Sequence, residues 1–196
     1  MTRRLLHLTW DSSDNPWCGG GGAFRDYQIL SMLGTWDREI WSGRHPRCDM
    51  PPDASIQRHN LGMGGFGEFV SRRTWGWTSS RRLENRLRTD PKLVVSQSAS
   101  AWAPVWRTLA HPNRILHVVH HVAGESILKR LGPLGPSSLR YEQRILGEGR
   151  YFATPNRATA ARIRAVNRDA RIEIIPNGFS PPLHPMSPER PNPDAV

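Results

Sequence analysis

Leu5-Leu6-His7-Leu8-Thr9-Trp10, and soon after it Cys18-Gly19-Gly20-Gly21-Gly22-Ala23-Phe24-Arg25, is the stretch whose reading decides the fold of this 196-residue chain. The first part is apolar at most positions and reads as a buried strand. Beyond the glycines, Phe24, Tyr27, Leu30 and Leu33 recur at helical spacing, and Gly34 supplies a C-cap. A strand, a loop without side chains and a helix N-terminus let backbone N–H groups face a phosphate or a sugar. Four glycines by themselves also fit a plain surface turn. Their place in an opening β-loop-α unit argues for the binding loop. It is not a P-loop, because no Gly-Lys-Ser/Thr follows. Nor does it fit a dinucleotide fingerprint, because Arg25 stands where the third glycine would be.

Working outward, strands and helices alternate. Lys92–Gln97 reads as a strand, and residues 99–109 as a helix interrupted by Pro104. Residues 114–120 form the next strand, ending at His120-His121. A helix over 137–146 takes Ser137 or Ser138 as N-cap. Residues 150–154 are a strand, 157–166 a helix, and 171–175 a last strand running into Pro176-Asn177-Gly178. In the first half, 38–43 reads as a short strand and 44–58 as loop. Leu61–Gly67 reads as a glycine-rich connector without a strand beside it, and Glu68–Arg88 as one or two helices. Repeated β-α units with apolar strands predict an α/β fold, a doubly wound parallel sheet of Rossmann-like type. Residues 1–180 form one domain, and the proline-rich 181–196 a tail or interdomain linker. Ligands of such sheets sit outside the carboxyl ends of the strands. That rule groups residues 10–23, 96–100, 120–124 and 154–157 on one rim, with the glycine run and His120 facing a common cleft.

Composition narrows the partners. The formal charge is +10 and the pI is near 11.0, almost all of it arginine, since Lys92 and Lys129 are the only lysines. Such a chain is drawn to phosphates, whether on nucleic acid, lipid headgroups or nucleotide diphosphates. Cys18 and Cys48 are too few for a disulfide framework or a structural zinc site. Met1–Arg4 is basic, but the apolar run behind it stops at Trp10-Asp11, too short for a signal peptide. No stretch has the length of a membrane span. These features lead us to expect a cytoplasmic protein.

The order of pieces resembles the N-terminal domain of family 4 glycosyltransferases, which have the two-domain GT-B architecture. The resemblance rests on the glycine loop Gly19–Gly22, the strand Val94–Ser98, and Val118-Val119-His120-His121-Val122-Ala123-Gly124-Glu125. It continues through Tyr141-Glu142, Tyr151–Thr154 and Ile174-Ile175-Pro176-Asn177-Gly178. It spans about residues 3–182 and is weakest over 38–88. It implies that Gly20, Gly21 and Gly22 approach the donor diphosphate and the acceptor. His120 would lie at the reacting sugar as the catalytic residue, with His121 and Glu142 as further binding residues. Asn156 departs from the serine common in the family. The co-substrate implied is a nucleotide-sugar, the acceptor a glycan or a lipid-linked sugar, and the anomeric configuration is retained. No cofactor is implied. Adjacent strand residues point to opposite faces, so His120-His121 is not a metal pair, and no metal is expected. In that family a second domain binds the nucleotide-sugar. This chain is therefore expected to need a donor-binding half from elsewhere, as a separate polypeptide or a lost domain.

Arg72, Arg73, Trp75 and Trp77 suit an anionic membrane surface, on which the protein would sit peripherally. The competing reading of that segment is a solvated face with the tryptophans packed inward. Two other functions stand beside sugar transfer: a non-catalytic remnant or regulatory subunit, and a basic nucleic-acid binder. The latter lacks any recognisable reading module, so no specific nucleic-acid partner is expected.

Overall fold

The computed structural model describes residues 3–12, 15–17, 21–47, 55–98 and 105–177. Strand β1 (Arg3–Leu8) forms at the first apolar run, and its side chains alternate between two packed faces. Leu5 joins Leu30, Ile40 and Ile56 on one face. Leu6, Leu8 and Trp10 join Trp41, Trp75, Leu83 and Val95 on the other. Helix α1 (Gly21–Met32) covers the first face and α2 (Glu68–Thr89) the second. Burial on both sides explains why β1 reads as a nearly continuous apolar run.

Six more strands complete one sheet: β2 (Trp36–Gly43), β3 (Gln57–Leu61), β4 (Leu93–Ser98), β5 (Ile115–Val118), β6 (Tyr151–Thr154) and β7 (Arg171–Ile174). All pairings are parallel, in the order β3-β2-β1-β4-β5-β6-β7. The remaining helices are α3 (Val105–Leu109), α4 (Ser126–Leu131), α5 (Gly135–Glu148) and α6 (Arg157–Val166). Ile145 and Leu146 of α5 and Ile163 of α6 close a second core over Phe152 of β6. The fold is α/β and Rossmann-like, as the alternation predicts.

Several elements differ from the sequence reading. β3 begins within the stretch read as loop and ends at Leu61, the first residue of the glycine-rich connector. Its sequence, Gln57-Arg58-His59-Asn60-Leu61, carries one apolar residue, which an edge strand bonded on one side tolerates. The glycine cluster after it therefore does adjoin a strand. Gly62, at φ 95°, turns the chain into α2. Its missing Cβ would lie 2.9 Å from the carbonyl oxygen of Ser71 and the nitrogen of Trp75. Helix α5 starts at Gly135, two residues before the expected cap, so Ser138 is buried within the helix. Pro136 suits a first turn, where its missing N–H has no partner to lose. α4 was not expected. Residues 99–104 of the expected third helix, Gly178, and the tail 181–196 lie outside the described residues.

Candidate active site

The order of the sheet reverses at β1, which has β2 on one side and β4 on the other. Connections leaving β1 and β4 run to opposite sides, and the carboxyl ends of these strands border a crevice. Four elements bring polar side chains to that point. His7 comes from β1, Ser96 and Ser98 from β4, Asp26 from α1, and His120 from the turn after β5.

Asp26 is the hub. Its Oδ2 accepts from Ser98 Oγ at 2.5 Å, and lies 3.2 Å from His120 Nε2 and 3.3 Å from His7 Nε2. Asp26 is 5% exposed and His7 2%. Burial pushes a carboxyl of this depth up, but the hydrogen bond of His120 and the close contact of His7 outweigh it. Together with the nearby imidazoles they hold Asp26 well below the usual carboxylate range. An ionised carboxylate only accepts, so His120 presents Nε2–H to it, while His7 Nε2 stands nearby out of hydrogen-bond alignment. His7 Nδ1 and the hydroxyl of Ser96 share a hydrogen bond at 2.8 Å. In neutral His120, Nδ1 keeps its lone pair, and this side chain is 24% exposed on the rim.

The glycine run meets the same ring. A Cβ on Gly22 would stand 3.1 Å from His120 Cδ2, whereas one on Gly21 would touch nothing within 4 Å. Close approach is thus required at Gly22, and Gly20 lies outside the described residues. Glu142 of α5 accepts from the backbone N–H groups of Ala123 and Gly124, each at 2.7 Å. These are charge-assisted bonds that fasten the loop bearing His120. Both carboxylate oxygens are thereby engaged with the chain itself. His121 is exposed beside His120. His117 lies beneath the rim, 1% exposed, with its ring centroid 5.4 Å from that of Phe152. Burial pushes its pKa down to about 4, so it is neutral. Asn156 caps α6 by accepting from the Thr159 N–H at 2.8 Å.

The expected membrane patch needs correction. Residues 72 and 75, three apart on α2, share its inner side. Trp75 is fully buried in the core. The Arg72 guanidinium lies 3.7 Å above the Trp10 ring and 2.7 Å from Glu68. The outward stripe is instead Phe69, Arg73, Trp77 and Arg81, four apart, with Trp77 62% exposed and Arg81 4.5 Å over its ring.

Sequence reading missed Asp26 and Arg25. Asp26 falls on the Ala23-Tyr27-Leu30 stripe, where helical periodicity calls for an apolar side chain, and that misfit was the available signal. Arg25, also buried, donates to the carbonyl of Ile175 and ties the start of α1 to the end of β7. Among the described residues no group of three or more His, Cys, Asp or Glu is arranged to hold a metal ion. No described helix is long and apolar enough to cross a membrane.

No curated protein matches the sequence. Among solved structures, the fold is similar to sucrose-phosphate synthase from Thermosynechococcus elongatus, with 13% identity and a TM-score of 0.61. That match covers 89% of this chain and 48% of the other, so the chain spans about half the length of that protein. A second structure of that enzyme matches at 11% identity and a TM-score of 0.59, covering 90% of each chain. At such identities the likeness speaks for the fold. The family model described as Glycosyltransferase Family 4 matches residues 44–181, from the end of β2 past the last strand. With most of its length inside that match, on a sheet of this topology, the chain belongs to glycosyltransferase family 4.

Proposed function

We propose that this rim is the acceptor-side wall of a transfer site, moving a sugar from a nucleotide-sugar to a glycan or lipid-linked acceptor. Support comes chiefly from one observation, the imidazole of His120 held by buried, ionised Asp26 against Gly22 at the switch point. In the transfer, the bond from the anomeric carbon to the diphosphate breaks and a bond to the acceptor oxygen forms. The diphosphate leaves with the electron pair and takes up the proton that the acceptor hydroxyl gives up. His120, oriented through Nε2, presents Nδ1 to a sugar hydroxyl at the reacting centre. Gly20, Gly21 and Gly22 let the backbone reach the diphosphate oxygens. His121, next along the rim, contacts the sugar from its edge, while Glu142 holds the loop in place.

A single sheet offers one wall. Transfer needs a second body that binds the nucleotide and excludes water from the closed cleft. The nucleotide-sugar is a co-substrate, and the reading invokes no cofactor. For a lipid-linked acceptor, the Phe69, Arg73, Trp77 and Arg81 stripe would lie on the anionic surface that presents it.

The test is a transfer screen over nucleotide-sugars and acceptors, run with and without a donor-binding domain. His120→Ala should remove most transfer, at least about a hundredfold, with the fold intact by circular dichroism. Undiminished transfer in that variant removes His120 from the site.

A further inference from the structure

A second cavity, of about 530 Å³, opens at the outer edge of the sheet between β3 and α2. That volume suits a small ligand. Arg44 reaches it from the end of β2, Arg58 from β3, and Arg82 from α2 beside Trp77. No carboxylate lines it, and among the described residues none of these three arginines is paired with one. Glu39, whose partner His59 lines the cavity, is engaged with Arg86 at 2.8 Å and with His59 at 3.3 Å. Arg58 leans on the Tyr27 ring at 4.5 Å, and its buried Nε donates to no described group. Three arginines that line one space, with no carboxylate in its lining, give it positive charge, and an anion relieves their mutual repulsion. Guanidinium forks match the oxygens of a phosphate in particular. Arg58 also lines the small cavity that holds His7 and Asp26, so the two spaces share a wall.

We infer that this cavity binds a phosphate group carried by a sugar or by a lipid headgroup. Beside the rim, it would hold the phosphate of an acceptor whose hydroxyl faces His120. That last role rests on the proposed transfer function, whereas phosphate binding does not.

The test follows arginine side-chain Nε resonances of the full chain by NMR. Titrants are inorganic phosphate, glucose 6-phosphate, glucose, and vesicles of phosphatidylglycerol or of phosphatidylcholine alone. Inorganic phosphate, glucose 6-phosphate or phosphatidylglycerol vesicles should shift Arg58 and bind at least about tenfold more tightly than glucose or the net-neutral phosphatidylcholine vesicles. Arg44→Gln with Arg82→Gln should cost a further tenfold or more without changing the melting temperature. Tight glucose 6-phosphate binding identifies a soluble sugar phosphate. Binding confined to phosphatidylglycerol vesicles, and lost in the double variant, identifies a lipid headgroup. Equal affinity for glucose, or binding that survives both substitutions, overturns the inference. A chain that binds phosphate here yet transfers no sugar leaves the cavity standing and counts against the proposed function alone.

Discussion

Asp26 gathers three partners on one carboxylate oxygen, which makes the aim of His120 a property of helix α1. Gly22, one turn earlier on α1, meets the same Nε2–Cδ2 edge of the ring, so the two residues together form the slot in which the imidazole rests. A methyl group on Gly22 would sit inside ordinary contact distance of the ring, and His120 would have to give by a few tenths of an ångström. Gly22→Ala should therefore displace the His120 ring resonances and lower transfer about tenfold or more. Gly21→Ala, facing open space at the helix start, should leave the ring resonances unchanged and raise stability by up to about 1 kcal/mol. NMR of the imidazoles with thermal melts of both variants checks this, and equal effects at the two positions would count against the slot. At this scale the sequence was half legible. His120 shows itself by ending an apolar strand, while Asp26 is a plain helix residue until the fold brings β1, β4 and the β5 turn around it.

Elements were legible wherever their apolar pattern was strong. α6 runs over the residues its periodicity marks, and β1 and β4 follow their runs of Leu and Val. β3 and α4 were not, for a shared reason. An edge strand and a six-residue surface helix bury little, so their sequences are free of the pattern that betrays buried elements. Helix α2 shows what periodicity decides once its phase is known. The four-residue spacing of Ser71, Trp75, Ser79, Leu83 and Leu87 buries one side, leaving Trp77 out. Trp75→Ala should destabilise the fold by about 3–5 kcal/mol, as expected for emptying a core tryptophan site. Trp77→Ala should stay within about 0.5 kcal/mol. Urea titration separates the two, and similar costs would mean that the phase of α2 is wrong.

Over the whole molecule, the arginine excess has two destinations. One part faces outward or lines the cavity between β3 and α2. The other works inside the fold on backbone carbonyls. Arg38 Nη1 donates to Leu30 and Ser31 at 2.9 and 3.0 Å, at the end of α1. Arg114 donates to Leu87 at 2.7 Å, and also to Asp90 and Leu93, where α2 ends. Cations at helix carboxyl ends also meet the negative end of the dipole. Net charge read from composition therefore overstates what the surface offers to a phosphate, and no sequence pattern separates the two uses.

Stability against pH is likewise a property of the whole fold, and buried His117 gives it a definite sign. Its pKa is near 4 in the folded protein and about 6.5 in an unfolded chain. Between these values the unfolded state binds the extra proton. The contribution of His117 is complete above pH 6.5, falls as pH drops toward 4, and changes no further below that. Asp26, ionised in both states over this window, adds no slope there and begins to lose its contribution only below about pH 4. Acidification from 6.5 to 4 should thus cost about 3 kcal/mol through His117 alone. His117→Leu should flatten the unfolding free energy by that amount over the window, measured by urea titration at half-unit steps. A variant whose pH dependence matches the parent protein would show that His117 takes up its proton without opening the core between β5 and β6.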